Sequence, residues 1–477
     1  MKKPRLLIPI SIQFSVRYIL RSGLLDRLSD AAEPVILLDW RDRELEAELE
    51  RKGAEVHFLI AAKTSPNYER VRSWLNLLHK KRLNTPSEII WERRADIGRS
   101  AWNRLRRRAR KRIFESLSLV AGGESWLRRK EQRLFDEETN ASEVQKQIDA
   151  LRLDAAFSIT PFLANEQMAL RACTRRNIPS CTSILSFDNI TTRGWIPVPF
   201  DKYFLWNRYN AEELLRSYPE VSSSQVGIVG APQFDFYWNP DFCWGEAEWR
   251  QRLGLPEGRP VILYGGGYHF CAQHEPRFLE QIDNAIERNE IPGNAVVLFR
   301  NHPVDAIERW HPVLKKAKHV ILDDPNPGET AGRTNLTNHD IQRLTSTLCH
   351  SRVHVSVAST MSVDGAIFDR PQIGPAYDDS PRGKYDRTSQ DLYYQEHYLP
   401  ITHSGGLDIV RSEQELIAAI RDALVNPGRL AEGRKRMVRE ICTYDDGRAT
   451  GRVADAVQGF LGSKAPVPEE VHAVRGR

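Results

Sequence analysis

The chain has 477 residues, of which 41% are hydrophobic and 27% are charged, and its formal net charge is +5. This composition excludes a disordered or fibrous chain, and the length predicts at least two domains with large cores. No apolar run approaches the length of a membrane-spanning helix, in agreement with a mean hydropathy of −0.49.

The six cysteines are scattered through the chain without a CxxC spacing. Single cysteines of this kind are typical of a reducing compartment, so we expect a cytoplasmic protein. The N-terminal stretch MKKPRLLIPI has two lysines and a short apolar run but no convincing cleavage site. We therefore expect it to form the first strand rather than a signal peptide.

The first part of the chain alternates short apolar strands with helices. Strands are predicted over residues 4–10, 35–38, 55–60, 154–159, 179–186, 202–206 and 225–229. Helices are predicted between the first three strands, over residues 14–28 and 44–52. This alternation predicts a parallel sheet that is covered by helices on both faces.

Residues 64–150 are long, charged and helical in pattern, and they predict an insertion into this first domain. The apolar residues from Trp102 to Leu117 recur there at helical spacing, and the run RLRRRARKR fills the other faces. A basic amphipathic helix is typical of contact with an anionic membrane surface or with a phosphate-bearing acceptor. A solvated surface helix is the simpler alternative and stays open. Nucleic acid is not favoured, because aromatic residues are not interleaved with the positive charge.

A second alternating set of strands and helices predicts another domain of the same type. We expect an N-terminal domain over 1–237, a linker over 238–258 and a C-terminal domain over 259–445. A helix over 446–462 is predicted to cross back to the first domain, followed by a flexible tail over 463–477. Two consecutive sheets of similar size predict two Rossmann-like domains that face each other across a cleft.

Three turns follow strands of the second domain directly. The first contains Gly265, Gly266 and Gly267, the second is FRNHP with His302 and Pro303, and the third contains Ser359 and Thr360 before a helix. Because the carboxyl ends of parallel strands meet at one edge of a sheet, we expect these turns to converge.

Each turn has a phosphate-binding interpretation and a structural alternative. The glycines allow close approach and positive φ, so they can cradle a diphosphate. His302 can donate a hydrogen bond to a phosphate oxygen or a ribose hydroxyl, whereas an isolated histidine usually bonds to a carbonyl. Ser359 and Thr360 stand at a helix start that favours an anion, with Asp364 in the first turn, and simple N-capping is the alternative.

Other site types are less well supported by the sequence. The glycine turn does not match GxGxxG or the Walker pattern, so neither a redox dinucleotide nor ATP hydrolysis is favoured. His269, Cys271, His274 and Glu275 form a local cluster of metal-ligand types, but the adjacent positions are geometrically awkward and no metal site is predicted. The chain also has no Asp-x-Asp triplet to anchor a divalent ion on a nucleotide diphosphate.

Two carboxylates of the first domain are candidates for a general base. Asp188 lies in the turn SFDNITTRG after a predicted strand, and Glu166 follows the strand predicted over 154–159. Either carboxylate can take the proton of an acceptor hydroxyl if it faces the cleft. A turn or cap role is the alternative for both.

The order of the segments GGG, FRNHP, VSVASTMSVDGAIFDRP, SGGLDIVRSEQELIAAI and DGRATGR resembles the GT-B glycosyltransferase superfamily. It is most similar to the bacterial surface-polysaccharide branch, which includes the CDP-glycerol glycerophosphotransferases. The resemblance implies an α/β, GT-B-like fold with two facing Rossmann-like domains, parallel sheets and a nucleotide-activated donor held mainly by the second domain. It implies no essential metal or cofactor. The charged insertion departs from the family pattern and leaves the acceptor open.

Carried over to this sequence, the resemblance implies that His302 contacts the donor phosphate or nucleotide. It further implies that Ser359 and Thr360 hold the diphosphate, and that Gly265 to Gly267 line the donor pocket. Asp188, Glu166 and His302 are then the catalytic candidates.

We therefore expect a cytoplasmic, metal-independent glycosyltransferase, peripheral at the inner face of the membrane. It would transfer a sugar from a nucleotide-activated donor to a saccharide or lipid-linked acceptor in surface-polysaccharide biosynthesis. Three alternatives stay open: transfer of glycerol phosphate from a CDP-activated donor, 2-epimerisation of a UDP-sugar, and a non-catalytic membrane-surface assembly protein.

Overall fold

The structure is a computed structural model that describes residues 2–83, 85–96, 99–118, 122–269, 271–303, 305–325, 335–378 and 388–462. The chain divides into two compact units, one of Met1–Gly230 with Ala449–Arg477 and the other of Ala231–Arg448. Each unit contains a parallel sheet with helices, so the predicted α/β class is confirmed. The predicted tail, residues 463–477, lies outside the described residues.

The first unit is built on a seven-stranded parallel sheet. Its strands are β1 Arg5–Ile10, β2 Glu33–Leu38, β3 Glu55–Phe58, β4 Ala155–Ser158, β5 Ser180–Ser183, β6 Lys202–Leu205 and β7 Val226–Ile228. Their order is β3-β2-β1-β4-β5-β6-β7. Alternate residues of β1 enter separate cores, with Leu7 on one side of the sheet and Leu6 and Ile8 on the other. Burial on both faces explains the nearly continuous apolar runs of these strands.

In the described part of the first unit, eleven helices connect the strands. They are α1 Gln13–Val16, α2 Leu24–Ser29, α3 Arg43–Arg51, α4 Pro66–Leu83, α5 Pro86–Ala95, α6 Ala101–Ser118, α7 Gly123–Glu138, α8 Ala141–Leu151, α9 Ala164–Arg175, α10 Asn189–Thr192 and α11 Arg208–Ser217. Helices α4 to α8 form the predicted insertion between β3 and β4. A 3₁₀ turn at Ser223–Gln225 precedes β7.

The single helix predicted over residues 14–28 is wrong. Helix α1 continues as a π-helix over Arg17–Arg21, and Gly23 then adopts a positive φ of 79° before α2 begins. A left-handed conformation ends a helix and is accessible to glycine at little cost, so this residue divides the apolar stretch in two.

The second unit is built on a six-stranded parallel sheet. Its strands are β8 Val261–Gly265, β9 Val296–Arg300, β10 Val320–Asp323, β11 Val353–Ser356, β12 Gln372–Pro375 and β13 Leu407–Val410. Their order is β10-β9-β8-β11-β12-β13, so the chain reverses its direction across the sheet between β8 and β11. In open α/β sheets, such a reversal opens a crevice at the carboxyl ends of the two strands, where ligands bind.

The helices of the second unit precede, connect and follow its strands. They are α12 Glu246–Leu253, α13 Pro276–Glu287, α14 His311–Leu314, α15 Asn338–His350, α16 Met361–Ile367, α17 Leu399–His403, α18 Glu413–Val425 and α19 Ala431–Cys442. Short 3₁₀ helices lie at Pro232–Trp238, Pro240–Phe242, Ile307–Trp310, Gln390–Tyr394 and Glu396–Tyr398.

Residues 238–258, predicted as a linker, belong to this second unit. The side chain of Trp249 is fully buried in a cluster with Val261 and Leu298 of the sheet, and its indole N–H donates to Thr347 Oγ1 at 3.1 Å. A segment that buries a tryptophan against the sheet is part of the domain core, so the boundary lies near Gly230 instead.

The last described helix, α20 Ala449–Phe460, belongs to the first unit. Its Val453 and Val457 are fully buried in the core that lies against β1 and β2. The amide of Gln458 donates to the carbonyl of Arg27 at 3.1 Å. The chain therefore returns to the first unit after the second is complete.

Candidate active site

The three predicted turns leave neighbouring strands at one edge of the second sheet. Gly265, the last residue of β8, pairs with Arg300 at the end of β9 and with Ser356 at the end of β11. With neighbouring strands about 4.8 Å apart, the turns after β9 and β11 begin within about 10 Å of each other. The turns after β8 and β11 lie at the reversal of the strand order, where this fold class binds ligands.

The glycine turn brings the end of β8 against the start of α16. A Cβ atom on Gly265 would lie 2.7 Å from Met361 Sδ, and one on Gly266 would lie 3.0 Å from Phe299 Cε2. The Gly266 N–H donates to the carbonyl of Arg300 at 2.9 Å. None of the three glycines has a positive φ, so they are needed for close packing rather than for a left-handed turn.

The N–H of Gly267 is occupied by the protein itself. It donates to both carboxylate oxygens of Glu275, at 3.0 and 2.8 Å. The predicted diphosphate cradle therefore lacks this donor in the present structure. Burial raises the pKa of Glu275 to about 7, while the nearby Arg309 and the Gly267 N–H oppose the shift.

A buried ionic network joins the glycine turn to the segment after the His-Pro turn. The guanidinium of Arg309 donates to Glu275 Oε2 at 3.1 Å and also to Asp305 and to the carbonyl of Gly267. The Asp305 N–H donates to the carbonyl of His302 at 2.9 Å. Because both carboxylates are fully buried, the charges fix the relative position of the two turns.

His302 lies half-buried at this edge, with Pro303 beside it. Burial lowers the pKa of His302 to about 4, against the opposing effect of Asp305. The ring is therefore neutral near pH 7, with one nitrogen able to donate a hydrogen bond and the other able to accept one. The ring of Tyr268 lies 6.3 Å from it, centroid to centroid.

His269 is a further functional candidate beside the His-Pro turn, which the sequence pattern indicated only as part of a cluster of metal-ligand types. Asp305 Oδ1 accepts from its backbone N–H at 2.9 Å and lies 3.3 Å from its ring Nδ1. The side chain is 53% exposed, so a carboxylate orients an accessible imidazole beside the His-Pro turn. Within the part of the chain that the structure describes, His269, Cys271 and His274 do not come together in a group that could bind a metal ion.

The Ser-Thr turn is held by two buried tyrosines. Ala358 has a positive φ of 41°, and its N–H donates to the hydroxyl of Tyr393 at 3.2 Å. The hydroxyl of Tyr398 donates to the carbonyl of Ser359 at 3.3 Å. A positive φ is costly for a residue with a side chain, so the surrounding bonds must maintain this turn.

The capping alternative applies to Ser359 but not to Thr360. Ser359 Oγ accepts from the N–H of Met361 at 3.2 Å. Thr360 is exposed, and its side chain makes no capping bond to α16. Asp364, which was predicted near the donor, is instead largely buried and accepts from the hydroxyl of Tyr237 at 2.5 Å.

The two candidate bases of the first unit differ in accessibility. Glu166 has no exposed surface, and its carboxyl accepts from the hydroxyls of Ser11, Ser158 and Thr160. Burial raises the pKa of Glu166 against these bonds. We therefore assign it a structural role and withdraw it as a base. Asp188 is half-buried, and its carboxylate accepts from Asn189 Nδ2 at 3.0 Å.

The helical insertion of the first unit contains a basic cavity of about 1280 Å³. Helices α4, α6 and α7 wall it, with Trp74 and Trp126 among its aromatic lining. Its cationic side chains are Arg99, Arg106, Arg107, Arg110, Lys111 and Lys130. Arg106 and Arg110 are exposed and form no ion pair within the described part of the chain. None of the described helices combines the length and apolar character needed to cross a bilayer.

A family model described as CDP-Glycerol:Poly(glycerophosphate) glycerophosphotransferase matches residues 196–459. This range contains all three turns of the second unit. No curated protein sequence matches the chain.

Solved structures of low sequence identity share the fold. The UDP-GlcNAc 2-epimerase from Neisseria meningitidis bound to UDP-GlcNAc is 11% identical, with a TM-score of 0.55 over 95% of this chain and 100% of that one. S. aureus MnaA with UDP is 12% identical, with a TM-score of 0.55 over 97% of each chain. A glycosyltransferase from Rickettsia africae is 11% identical, with a TM-score of 0.52 over 98% and 100% of the two chains.

Proposed function

The chain belongs to the CDP-Glycerol:Poly(glycerophosphate) glycerophosphotransferase family, and from that premise we propose that it is a GT-B-type transferase. The family and the fold support group transfer from a nucleotide-activated donor in surface-polymer biosynthesis. We propose a glycosyl group as the group transferred and a saccharide or lipid-linked hydroxyl as its acceptor.

The convergence of the three turns in the second unit carries this proposal. Neutral His302 donates one hydrogen bond to a phosphate oxygen of the donor. The hydroxyl of Thr360, which makes no capping bond, and that of Ser359 supply further donors at the start of α16. Groups that are fixed before the reaction stabilise charge on the departing nucleotide without reorganisation. The glycines line this site through close packing against Met361.

The proposed chemical step is a substitution at the anomeric carbon of the donor. The acceptor oxygen forms a bond to the anomeric carbon, the bond from that carbon to the donor phosphate breaks, and the nucleotide leaves with the electron pair. Asp188 receives the proton of the acceptor hydroxyl, since it is the more accessible of the two candidate carboxylates. His302 and the hydroxyls at α16 stabilise the leaving phosphate, so the step needs no metal ion in this proposal.

The basic cavity of the insertion supports an anionic acceptor or membrane surface for the first unit. Its six cationic side chains favour phosphate, and its tryptophans can contact an apolar group. We propose that the protein is cytoplasmic and binds the inner face of the membrane peripherally through Trp102 to Leu117 and this cavity.

A second candidate reaction is transfer of glycerol phosphate from CDP-glycerol, which the family match favours. Here the acceptor oxygen forms a bond to phosphorus and CMP leaves. The same three turns would hold the donor phosphates, so nucleotide preference separates the two reactions.

Nucleotide binding tests the proposal. We expect calorimetry with UDP, GDP, CDP and CMP to detect binding of one of them to the full chain. His302→Ala should weaken that binding by about tenfold, the worth of one good hydrogen bond. His403→Ala, at an exposed histidine of the same unit, is the control and should bind as the wild type does.

Each outcome of these binding measurements has a different meaning. Binding of UDP or GDP supports glycosyl transfer, whereas exclusive binding of CDP and CMP supports transfer of glycerol phosphate. Unchanged binding by His302→Ala would remove this residue from the donor site, and no binding of any nucleotide would refute the transferase proposal.

A further inference from the structure

Two cysteines and a histidine meet in the second unit, away from the three turns. Cys243 lies between the 3₁₀ turn at Pro240–Phe242 and α12, and Cys349 and His350 are the last two residues of α15. Both sulfur atoms and a ring nitrogen of His350 lie within 4.8 Å of one another. All three residues are half-buried, so each keeps part of its surface in contact with solvent.

The hydrogen bonds around His350 decide what this cluster can do. The Nε2 of His350 lies 2.7 Å from the carbonyl oxygen of Trp244. A carbonyl only accepts, so this nitrogen carries the proton and has no lone pair for a metal ion. Cys243 Sγ is 3.8 Å from the same nitrogen. The histidine thus orients the cluster, and the two thiols are its reactive groups.

The surroundings of the two sulfur atoms differ in charge. The hydrogen bond from the Cys243 thiol lowers the pKa of Cys349 to about 6, and His350 and Arg370 lower it further against the effect of burial. The interaction with Cys349, together with burial, raises the pKa of Cys243. Of the two sulfur atoms, that of Cys349 is therefore the one that more readily becomes a thiolate.

We propose that Cys243 and Cys349 form a reversible disulfide when the protein meets a peroxide. The Cys349 thiolate attacks one peroxide oxygen, the O–O bond breaks, and Cys349 becomes a sulfenic acid while hydroxide leaves. The Cys243 sulfur, on losing its proton, attacks the sulfenic sulfur, and the hydroxyl leaves as water. The peroxide is reduced and the two thiols are oxidised. A small-molecule thiol reverses the reaction.

The other cysteines provide a contrast within the same chain. Cys173, Cys181 and Cys442 are buried, and burial raises the pKa of each. Cys271 is half-buried, like the proposed pair. It is the matched control, because it is similarly exposed and lies outside the cluster of Cys243, Cys349 and His350.

The crosslink would join two segments distant in sequence. Trp244, next to Cys243, already donates its N–H to Ser346 of α15 at 2.9 Å, so the disulfide would reinforce an existing contact. It would fix the end of α15, which leads directly into β11 and the Ser-Thr turn. This inference does not depend on the identity of the donor or of the acceptor.

Alkylation of the reduced wild-type protein tests the thiolate. With iodoacetamide at pH 6, we expect Cys349 to react about tenfold faster than Cys271, because its lowered pKa increases the fraction present as thiolate. Peptide mass spectrometry measures both rates in one sample and needs no variant. Equal rates for the two cysteines would refute the assignment of Cys349 as the reactive thiolate.

Peroxide treatment of the full chain tests the crosslink. We expect the peptides of Cys243 and Cys349 to become linked with the loss of two hydrogens, and dithiothreitol to release them. Cys243→Ser should trap the sulfenic acid at Cys349, Cys349→Ser should leave Cys243 reduced, and Cys271→Ser should crosslink as the wild type does. Failure of the wild type to crosslink would overturn the proposal. Stoichiometric Zn²⁺ binding that both serine variants lose would overturn it in favour of a metal site.

Discussion

Met361 Sδ lies against Gly265 so closely that a Cβ atom on the glycine would come within 2.7 Å of it. This contact joins the end of β8 to the first residue of α16. It also places the glycine turn beside the Ser-Thr turn, at the reversal of the strand order. The packing of one methionine thus determines the spacing between two of the proposed phosphate-binding turns.

Gly265→Ala should therefore destabilise the second unit and displace α16. We expect a loss of roughly 1–3 kcal/mol in the free energy of unfolding, the usual cost of overpacking, and weaker nucleotide binding. Urea unfolding and calorimetry measure both effects. Gly428→Ala is the control, because a Cβ there would meet only Asn426 Oδ1 at 4.0 Å. Adding Met361→Ala should relieve the clash, so the double variant should lose less free energy of unfolding than the sum of the two single variants. Additive losses would contradict this explanation.

His302 should make stability depend on pH in acid. Its pKa is about 4 in the folded protein and 6.5 without burial, so between these values the unfolded chain binds a proton that the folded chain does not. The free energy of unfolding should then fall by up to about 3 kcal/mol as the pH drops from 6.5 to 4. His302→Gln should reduce this slope, whereas His403→Gln should leave it unchanged. A slope that His302→Gln does not alter would be inconsistent with a lowered pKa of this ring.

Glu275 should contribute a slope of opposite sign. Its pKa rises from 4.5 to about 7 on folding, so the folded chain holds the extra proton between these values. Its contribution to the free energy of unfolding should therefore decrease, by up to about 3 kcal/mol, as the pH rises from 4.5 to 7. Glu275→Gln should gain stability relative to the wild type across this window. Glu257→Gln, at an exposed residue, is the control. If the free energy of unfolding of Glu275→Gln depended on pH in the same way as that of the wild type, the raised pKa would be contradicted.

The cavity of the insertion should bind anionic lipid more strongly than the outer face of α6 does. Arg106→Glu with Arg110→Glu should weaken cosedimentation with anionic vesicles by at least tenfold, since each cation near such a surface contributes about 1 kcal/mol. Arg112→Glu changes an exposed arginine of the same helix that does not line the cavity, and should have a smaller effect. Equal effects per charge would indicate diffuse attraction to the whole helix instead.

Most strands of the two sheets could be predicted, because apolar and β-branched runs between turn residues have few other interpretations. Strand β13, Leu407–Val410, was not identified, since four residues with Asp408 in the middle give a weak pattern. The chain was likewise expected to form one helix over 14–28. A short apolar stretch does not reveal that Gly23 will adopt a positive φ.

The positions of the three turns could be predicted from topology, but their internal bonding could not. The sequence places Glu275 near the glycine turn, yet nothing local indicates that Arg309 and Asp305 complete a buried network with it. The tyrosines that hold the Ser-Thr turn, Tyr393 and Tyr398, lie more than thirty residues beyond it. Contacts of this kind depend on tertiary packing, which a single sequence does not specify locally.

The return of α20 to the first unit affects the order in which the protein can be assembled during synthesis. The ribosome completes Ala231–Arg448 before it makes the helix whose Val453 and Val457 complete the core of the first unit. The half of the protein that is translated first therefore finishes folding last, and until then it presents an apolar groove to the solvent. A nascent chain that stalls near Arg448 would be an expected target for chaperones.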